Sequence, residues 1–266
     1  MEDLSNEVAV LVVSCDKYSD LWEPFFTLFS MYWKPCPFKL YLLSNREKWE
    51  KWNVTNLLVG EDVSWSDSLK SGLEMLSEPY VLMTLDDLFL CNFVPNDNVI
   101  KITNWALLNN VNHIRMNPYP KADKPFNNLV GLVSKNTRYR TSTVFTLWKR
   151  KILEKLLLEG ESPWDFEIIG SERSNNYDGF YAAWDIHFPY LNGIIKAKWN
   201  RSAASFIKSK GIETNFEKRE IMTRSEYEIY KLKKLRNNWL RVLPATYRQK
   251  LTQLAENIMS KTGIDN

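Results

Sequence analysis

The sequence has little glycine, few cysteines and no long apolar run, and each shortage disfavours a class of protein. Only 9 of the 266 residues are glycine, and neither GxGxxG nor GxxxxGK occurs, which argues against a dinucleotide-binding or P-loop enzyme. Cys15, Cys36 and Cys91 form no CxxC pair and no Cys/His cluster, so structural zinc and a disulfide framework are both disfavoured. No apolar run approaches the roughly 18 residues that a bilayer span needs.

What remains is the composition of a globular chain with an uneven charge distribution. Hydrophobic residues make up 44% and charged residues 25%, and the aromatic share of 14% includes 11 Trp. The net charge is +3, yet residues 218–250 hold ten Lys and Arg against three Glu, so the basic surplus lies near the C-terminus. Residues 1–7 are acidic and lack the n-region of a signal peptide, so we expect a cytoplasmic protein.

Apolar, β-branched runs alternate with helical patterns through the first half of the chain. The runs predict strands over residues 8–13, 38–45, 55–60 and 80–85. The helical patterns between them cover residues 22–33 and a segment that follows Ser66 as its N-cap. Strands that alternate with helices form βαβ units, so the sequence predicts an α/β fold with a mostly parallel central sheet flanked by helices.

The second half is less regular but still alternates. Its patterns predict strands over residues 111–116, 129–134, 143–147 and 193–197. They predict helices over residues 100–108, 149–158, 224–243 and 247–260, and another that opens at Ser162. At that opening Ser162 fits the N-cap, Pro163 the first helical position and Asp165 the third position of a capping box.

Two adjacent carboxylates, Asp86 and Asp87, directly follow the predicted strand 80–85. An unpaired buried carboxylate is very costly, so the pair needs water, a cation or a basic partner. In an open α/β sheet, ligands bind just beyond the carboxyl ends of strands, and hard oxygen ligands there suit Mg²⁺ or Mn²⁺ holding a phosphate. The alternative is an acidic turn in which one Asp caps the next segment.

These features resemble the nucleotide-sugar-dependent glycosyltransferases of the GT-A fold, and in particular the small bacterial enzymes that build capsule, O-antigen and lipopolysaccharide chains. Four places carry the resemblance: Val12-Val13-Ser14-Cys15-Asp16, Leu85-Asp86-Asp87, residues 162–167, and the basic, aromatic tail. It covers roughly residues 8–199. We therefore expect a GT-A-like catalytic domain over residues 1–200, with a nucleotide-sugar half of about 1–90 and an acceptor half of about 91–200, followed by a basic helical extension over 201–266.

The resemblance also implies a donor site. In that fold the loop after the first strand holds the base and ribose, which here points to Ser14, Cys15, Asp16 and Tyr18. The family's Asp-any-Asp motif is matched by Leu85-Asp86-Asp87, in which the first acid is missing. We expect Asp87 to bind the divalent metal, Mn²⁺ or Mg²⁺, and Asp86 to bind the ribose or a metal-bound water.

Glycosyl transfer also needs a carboxylate that takes the proton of the attacking acceptor hydroxyl. By the resemblance, inverting members place this base at the start of a helix after the acceptor-side strands. Glu167 is the first candidate and Asp165 the second, because the capping box gives Asp165 a structural explanation.

Several other side chains have both a functional and a structural interpretation. His187 could contact the metal or the diphosphate, although a lone His among apolar residues is more often structural, as we expect for His113. Arg173 could clamp a phosphate or be a solvated loop charge. Trp65 and Trp164 could stack on sugar faces or lie in the core.

The basic tail has two interpretations as well. Residues 231–250 interleave cations with Leu, Trp and Tyr, which suits peripheral contact with the anionic inner face of the cell membrane, where lipid-linked acceptors reside. The alternative is a helix packed on the domain with a solvated basic face. No nucleic-acid-binding motif accompanies the charge, so no nucleic-acid partner is expected. Two other functions stay open: a nucleotidyltransferase, disfavoured by the missing glycine-rich phosphate loop, and a non-catalytic glycan-binding or assembly partner.

Overall fold

The computed structural model describes residues 4–242, which form one large sheet with helices on both faces. The strands are β1 (Val8–Val13), β2 (Lys39–Ser44), β3 (Val54–Leu58), β4 (Tyr80–Leu85), β5 (Leu88–Leu90), β6 (His113–Arg115), β7 (Lys124–Pro125), β8 (Val130–Leu132), β9 (Thr146–Lys149), β10 (Phe180–Ala183), β11 (Tyr190–Asn192), β12 (Ile194–Ile195) and β13 (Lys198–Trp199). The helices are α1 (Trp22–Tyr32), α2 (Trp65–Glu74), α3 (Asn96–Leu108), α4 (Arg150–Leu156), α5 (Pro163–Arg173), α6 (Arg201–Ser209) and α7 (Arg224–Val242). The helix predicted over residues 247–260 lies outside the described residues.

The main sheet has nine strands in the order β3-β2-β1-β4-β9-β6-β10-β8-β7. The pairs β2–β3, β1–β2, β1–β4 and β6–β10 are parallel, whereas β9 and β8 are antiparallel to their neighbours. The predicted α/β class with a mostly parallel sheet is therefore confirmed. Within residues 4–242, every helix is too short or too polar to cross a bilayer.

Strand β1 shows why the sheet is covered on both faces. All six of its residues are buried, and successive side chains of a strand point to opposite faces. Val8, Val10 and Val12 join the apolar cluster that contains residues of α1, α3 and α6. The alternating residues, such as Leu11, join a second cluster with residues of α2, α4 and α5.

Some element boundaries differ from the sequence predictions for local reasons. Helix α2 begins after Ser64 rather than Ser66, because the Ser64 hydroxyl accepts the Asp67 N–H at 3.1 Å. The Ser66 hydroxyl instead accepts the backbone N–H of Glu161 at 2.9 Å. Helix α6 was not predicted, although Ala203 and its neighbours pack in the same core as α1. The domain boundary at residue 200 stays a prediction.

The order of the strands creates a switch point between β1 and β4. From β1 the chain first builds outward through β2 and β3, and it then returns to place β4 on the other side of β1. The carboxyl ends of β1 and β4 lie side by side, since Val13 pairs with Leu85. Crevices of this kind are where open α/β sheets bind ligands.

Candidate functional site

A hydrogen-bonded chain of three side chains joins the ends of β1 and β4. The Ser14 hydroxyl follows β1 and donates to Oδ2 of Asp86, which follows β4. Trp22 Nε1, at the start of α1, in turn donates to the Ser14 hydroxyl at 2.7 Å. The two places that the sequence singled out, Ser14 and the Asp pair, therefore meet in one site.

Both carboxyl groups of the pair have raised pKa values. Burial raises the pKa of Asp86 well above its usual range, Asp87 adds to this, and the Ser14 hydrogen bond and the Arg219 charge oppose it. Burial also raises the pKa of Asp87, to about 6. None of the ion pairs found in residues 4–242 includes either group. A bound cation would stabilise the ionised form of both.

The residues fit a metal ion that also binds a phosphate ligand. No group of three or more His, Cys, Asp or Glu in the described part of the chain is placed to hold a metal by itself. Mg²⁺, however, is commonly held by one or two carboxylates together with substrate phosphates and water. The Asp86 and Asp87 carboxylates supply that smaller ligand set.

His187 does not join this pair, so its predicted role as a metal ligand finds no support. Its backbone N–H donates to Asn117 Oδ1 at 3.1 Å and to Met116 O at 3.3 Å, beyond the end of β6. The ring is 3% exposed, and burial lowers its pKa. These contacts favour the structural interpretation, in which a neutral His187 helps fix the segment before β11.

Asp16 shapes the loop after β2. Its carboxylate accepts the backbone N–H groups of Asn45, Arg46 and Glu47 at 3.0–3.2 Å. Asn45 Oδ1 accepts the Asp16 N–H at 3.2 Å in return. Asp16 therefore organises this edge of the site through backbone contacts. Cys15, one residue earlier, is a partly exposed free thiol whose pKa is raised by burial.

A cavity of about 290 Å³ opens next to this loop at the ends of β1, β2 and β3. Its lining consists of Asp16, Lys17, Asn45, Arg46, Gly60, Glu61 and Asp62. The Asn45 side chain is 6% exposed, and its Nδ2 has no hydrogen-bond partner within residues 4–242. A buried amide donor without a partner costs free energy unless a ligand or water accepts its hydrogen bond.

Tyr18 meets a cation that the sequence analysis did not single out. The guanidinium carbon of Arg219 lies 4.1 Å from the centre of the Tyr18 ring. Burial raises the pKa of Tyr18, Arg219 lowers it, and Asp86 and Asp87 raise it. The sequence analysis counted Arg219 only among the cations near the C-terminus. No local pattern relates it to a loop about 200 residues earlier in the chain.

Glu167 is anchored by one of its two oxygens. Its Oε1 accepts hydrogen bonds from the Thr143 N–H at 2.7 Å, the Thr143 hydroxyl at 2.9 Å and the Ser142 hydroxyl at 3.1 Å. Residues 142–144 turn toward this carboxylate, so β9 begins at Thr146 rather than at the predicted residue 143. The second oxygen, Oε2, has no hydrogen-bond partner among residues 4–242.

The register of β9 places Glu167 at the same edge as the Asp pair. β9 is antiparallel to β4, with Thr146 opposite Met83. The residues before Thr146 therefore lie at the edge where β4 ends and where Asp86 and Asp87 follow. Since Glu167 binds those residues, the first base candidate lies at the edge of the sheet where Asp86 and Asp87 lie.

The Asp165 side chain caps the N-terminus of its own helix, α5. The capping box is present: Asp165 Oδ2 accepts the Ser162 N–H at 3.1 Å, and the Ser162 hydroxyl accepts the Asp165 N–H at 3.2 Å. The Ser162 hydrogen bonds lower the pKa of this exposed carboxyl group. These contacts support the structural interpretation of Asp165.

The remaining candidates lie apart from the Asp pair. Arg173 donates to Leu156 O at 2.6 and 2.9 Å and pairs with Glu161 at 2.7 Å, so it joins α4 to α5. His113 is fully buried, its ring centre 4.0 Å from that of Trp148, and burial lowers its pKa. The Trp65 ring packs on Phe166 at 5.7 Å, whereas Trp164 is 74% exposed and free to stack on a ligand.

Neither a protein-family model nor a curated protein sequence matches this chain. Similar solved structures include a Staphylococcus aureus TarS fragment, 10% identical over 69% of this chain and 59% of that one, with a TM-score of 0.46. Drosophila beta-1,4-galactosyltransferase 7, a mutant in complex with manganese, UDP-Gal and xylobiose, is 12% identical over 71% of each chain, with a TM-score of 0.35. UTP-bound UGPase from Acinetobacter baumannii is 9% identical over 86% of this chain and 98% of that one, with a TM-score of 0.45. This chain spans about three-fifths of the TarS fragment. All three TM-scores lie below 0.5, so the function of the chain has to be argued from its own residues.

Proposed function

We propose that this chain is a glycosyltransferase that moves a sugar from a nucleotide-sugar donor to a glycan acceptor. The single observation that carries the proposal is the Ser14–Asp86 hydrogen bond at the switch point between β1 and β4, with Asp87 beside it. It joins the two segments that the resemblance assigns to the donor site. A fold does not imply a function, so the proposal rests on this site rather than on the sheet.

The donor nucleotide would lie along the ends of β1–β4. The cavity of about 290 Å³ takes the base, and Asn45 Nδ2 donates to a carbonyl oxygen of that base. Asp87 and Asp86 hold Mn²⁺ or Mg²⁺ against the diphosphate. When bound, this ion neutralises the charge that develops on the departing nucleoside diphosphate.

Glu167 would act as the base of an inverting transfer. Its Oε1 is held by Ser142 and Thr143, which leaves Oε2 to accept the proton of the attacking acceptor hydroxyl. Fixing one oxygen while the other meets the substrate also orients the carboxylate. Asp165 remains the second candidate, with its capping contacts counting against it.

The acceptor would be lipid-linked, as in capsule and O-antigen synthesis at the cytoplasmic face of the membrane. Support comes from α7, where Ile229, Leu232 and Leu235 are exposed along one side of a basic helix. Their spacing of three residues places them on neighbouring turns. A basic helix with an exposed apolar side suits an anionic lipid surface.

A thermal-shift screen of UDP, GDP, dTDP and CMP, each with Mn²⁺, Mg²⁺ or EDTA, tests the donor site. A ligand that binds only the folded state raises the melting temperature by mass action. We expect one nucleotide to stabilise the protein, and to do so only with metal. Stabilisation that survives EDTA would move neutralisation of the leaving group to Lys or Arg. A screen in which no nucleotide stabilises the protein would contradict the proposal.

Product analysis separates the alternative functions. A glycosyltransferase releases the nucleoside diphosphate slowly from its sugar nucleotide in the presence of metal, even without an acceptor. A nucleotidyltransferase would instead release pyrophosphate from a nucleoside triphosphate and a sugar 1-phosphate. A glycan-binding partner would catalyse neither reaction.

A further inference from the structure

A strap formed by residues 213–223 crosses back to the candidate donor site. Its anchor is Trp199 in β13, whose backbone N–H donates to Glu220 O at 2.9 Å and whose carbonyl accepts the Met222 N–H at 3.0 Å. The Phe216 ring lies 5.1 Å from the Trp199 ring. The strap is therefore held at two backbone positions and one side chain.

Trp199, the anchor of the strap, also packs on the segment that follows Asp86 and Asp87. Trp199 stacks on Phe89 of β5 with ring centres 5.9 Å apart, and Phe89 comes two residues after Asp87. The Gly193 N–H, between β11 and β12, donates to Asp87 O at 2.6 Å. The Asn200 N–H in turn donates to Gly193 O at 2.7 Å. The position of the strap is thus fixed relative to Asp87 through a short series of packed residues.

At the other end of the strap, Arg219 reaches the loop after β1. Its Nε donates to Asp20 Oδ2 at 3.0 Å, and its Nη2 donates to Lys17 O at 2.5 Å and to Asp20 Oδ1 at 3.3 Å. The guanidinium also lies over the Tyr18 ring. The Arg219 side chain is 12% exposed and that of Asp20 is 2% exposed, so the contact is largely enclosed.

Arg219 keeps some hydrogen-bonding capacity after these contacts. Lys218 Nζ lies 3.4 Å from Asp20 Oδ1, so two cations share one buried carboxylate. Arg219 Nη1 has no hydrogen-bond partner within residues 4–242. Arginine presents its donors in a planar fork that matches phosphate oxygens. The Nη1 edge of Arg219 is therefore available to an anionic ligand.

We propose that Arg219 binds the diphosphate of the nucleotide donor, which makes the strap a part of the donor site. The inference rests on the proposed function and adds to it a cation from the C-terminal segment. Arg219 already lies against Tyr18, and the Asp86 carboxylate follows the neighbouring strand end. A diphosphate that reaches toward Asp87 would therefore lie between the metal-binding carboxylates and the guanidinium.

A comparison of nucleotides that differ only in phosphate number tests the role of Arg219. Binding of UDP, UMP and uridine, and of the matching guanosine and thymidine series, is measured by calorimetry for the full chain with Mn²⁺ and with EDTA. Arg219→Ala should weaken diphosphate binding by roughly tenfold or more, as expected when a hydrogen bond to a charged group is lost. The affinity for the nucleoside should stay unchanged, because the base lies at Asn45.

Asp20→Asn separates anion binding from a purely structural contact. If Arg219 only fastens the strap to Asp20, both variants lose the same contact and should weaken nucleotide binding equally. If Arg219 binds the diphosphate, Asp20→Asn removes a negative charge next to the guanidinium and should keep or increase the affinity for UDP. Melting temperatures of both variants show whether they remain folded. Arg224 is an exposed cation at the start of α7, so Arg224→Ala is the matched control. It should leave the affinity for UDP unchanged.

The outcomes distinguish this inference from the function on which it rests. A diphosphate-selective loss in Arg219→Ala without a loss in Asp20→Asn supports it. Unchanged UDP affinity in Arg219→Ala, or equal losses for UDP and uridine in both variants, overturns it while the donor site stands. A wild-type chain that binds no nucleotide overturns the proposed function and this inference together.

Discussion

At the scale of single residues, Asp87 carries a charge that the folded protein disfavours. Its pKa of about 6 in the folded state lies above the unfolded value near 4, so between these pH values the folded chain keeps a proton that the unfolded chain has lost. The contribution of Asp87 to the free energy of unfolding is therefore greatest below pH 4. It is lost as the pH rises through 6, and the loss amounts to up to about 3 kcal/mol. Burial of the neutral His113 and His187 side chains acts in the opposite direction over much of this range. The contribution of Asp87 is therefore measured as the difference between the wild type and a variant that lacks this carboxylate.

The variant Asp87→Asn should reduce that pH dependence and raise the melting temperature at pH 8, as measured by thermal unfolding between pH 4 and 8. Asp86 contributes with the same sign, so some dependence remains. The exposed Glu50, as Glu50→Gln, is the control and should leave the difference between the curves unchanged. A wild-type curve that runs parallel to the Asp87→Asn curve between pH 4 and 8 would show that the folded protein does not disfavour the charge of Asp87.

Glu167 and Asp165 differ in what their substitutions should remove. Glu167→Gln keeps an oxygen that can accept the hydrogen bonds of Ser142 and Thr143, so the fold and donor binding should survive. Turnover should fall by about 100-fold or more, because the proton acceptor is gone. The measurement is the rate of sugar transfer beside the calorimetric affinity for the nucleotide.

Asp165→Asn is the matched variant on the same helix. It weakens the capping box, so it should lower the melting temperature slightly while turnover persists. An active Glu167→Gln protein together with an inactive Asp165→Asn protein would assign the base to Asp165.

Residues of the candidate site could be predicted from the sequence only where they follow a recognisable local pattern, such as the end of an apolar run. Ser14 and Asp86 each end an apolar run, so both could be found, and the structure joins them by a hydrogen bond. Arg219 and Asp20 lie 199 residues apart, and neither belongs to a strand end. The contact between Arg219 and Asp20 forms because the last third of the chain returns to the loop after β1. No short-range spacing in the sequence predicts this return.

At the scale of elements, the length of the apolar run decided which strands the sequence could predict. The six-residue strands β1, β2 and β4 are buried or half-buried apolar runs and were found within about one residue of their ends. The short strands β5 and β13 carry too few side chains to show a period of two. The three-residue strands β6 and β8 were predicted because they lie inside the longer apolar runs 111–116 and 129–134. Helix α6 is only nine residues long and was missed, although Ala203, Ala204 and Ile207 recur at helical spacing and pack in the core.

Gly193 shows how tightly one short element supports the site. A Cβ at this position would lie 2.3 Å from Phe89 Cε2 and 3.0 Å from Asp87 O. Phe89 is fully buried against Trp199, so it has little room to move. Gly193→Ala should therefore lower the free energy of unfolding by about 1–3 kcal/mol and weaken nucleotide binding, as measured by urea unfolding and calorimetry.

A second substitution separates crowding from other effects of the alanine. Phe89→Leu in the Gly193→Ala background removes the ring edge that the new methyl group would meet, so stability should partly return. Full stability and unchanged nucleotide affinity in Gly193→Ala alone would mean that the backbone after Asp87 can shift without consequence for the site.

At the scale of the whole molecule, the uneven charge distribution gives the two ends of the chain different tasks. The sheet presents Asp86 and Asp87 at a strand end, whereas the basic surplus lies in α7, which holds six Lys and Arg against two Glu. The strap itself holds two cations and three Glu. The strap cations return to the site, where Lys218 and Arg219 meet Asp20. The exposed Lys233 of α7 accompanies an exposed apolar stripe instead, which leaves it available for a surface outside the chain.

That separation predicts binding to anionic vesicles through α7. Vesicles that contain phosphatidylglycerol should bind the full chain in a sedimentation assay, neutral phosphatidylcholine vesicles should not, and binding should fall as salt rises, because screening weakens the attraction. Leu232→Asp places a charge in the middle of the exposed stripe and should weaken binding several-fold. Leu108→Asp is the matched control, since Leu108 is 86% exposed on α3. Equal losses in both variants, or equal binding to the two kinds of vesicle, would instead favour α7 as a solvated helix that contacts no membrane.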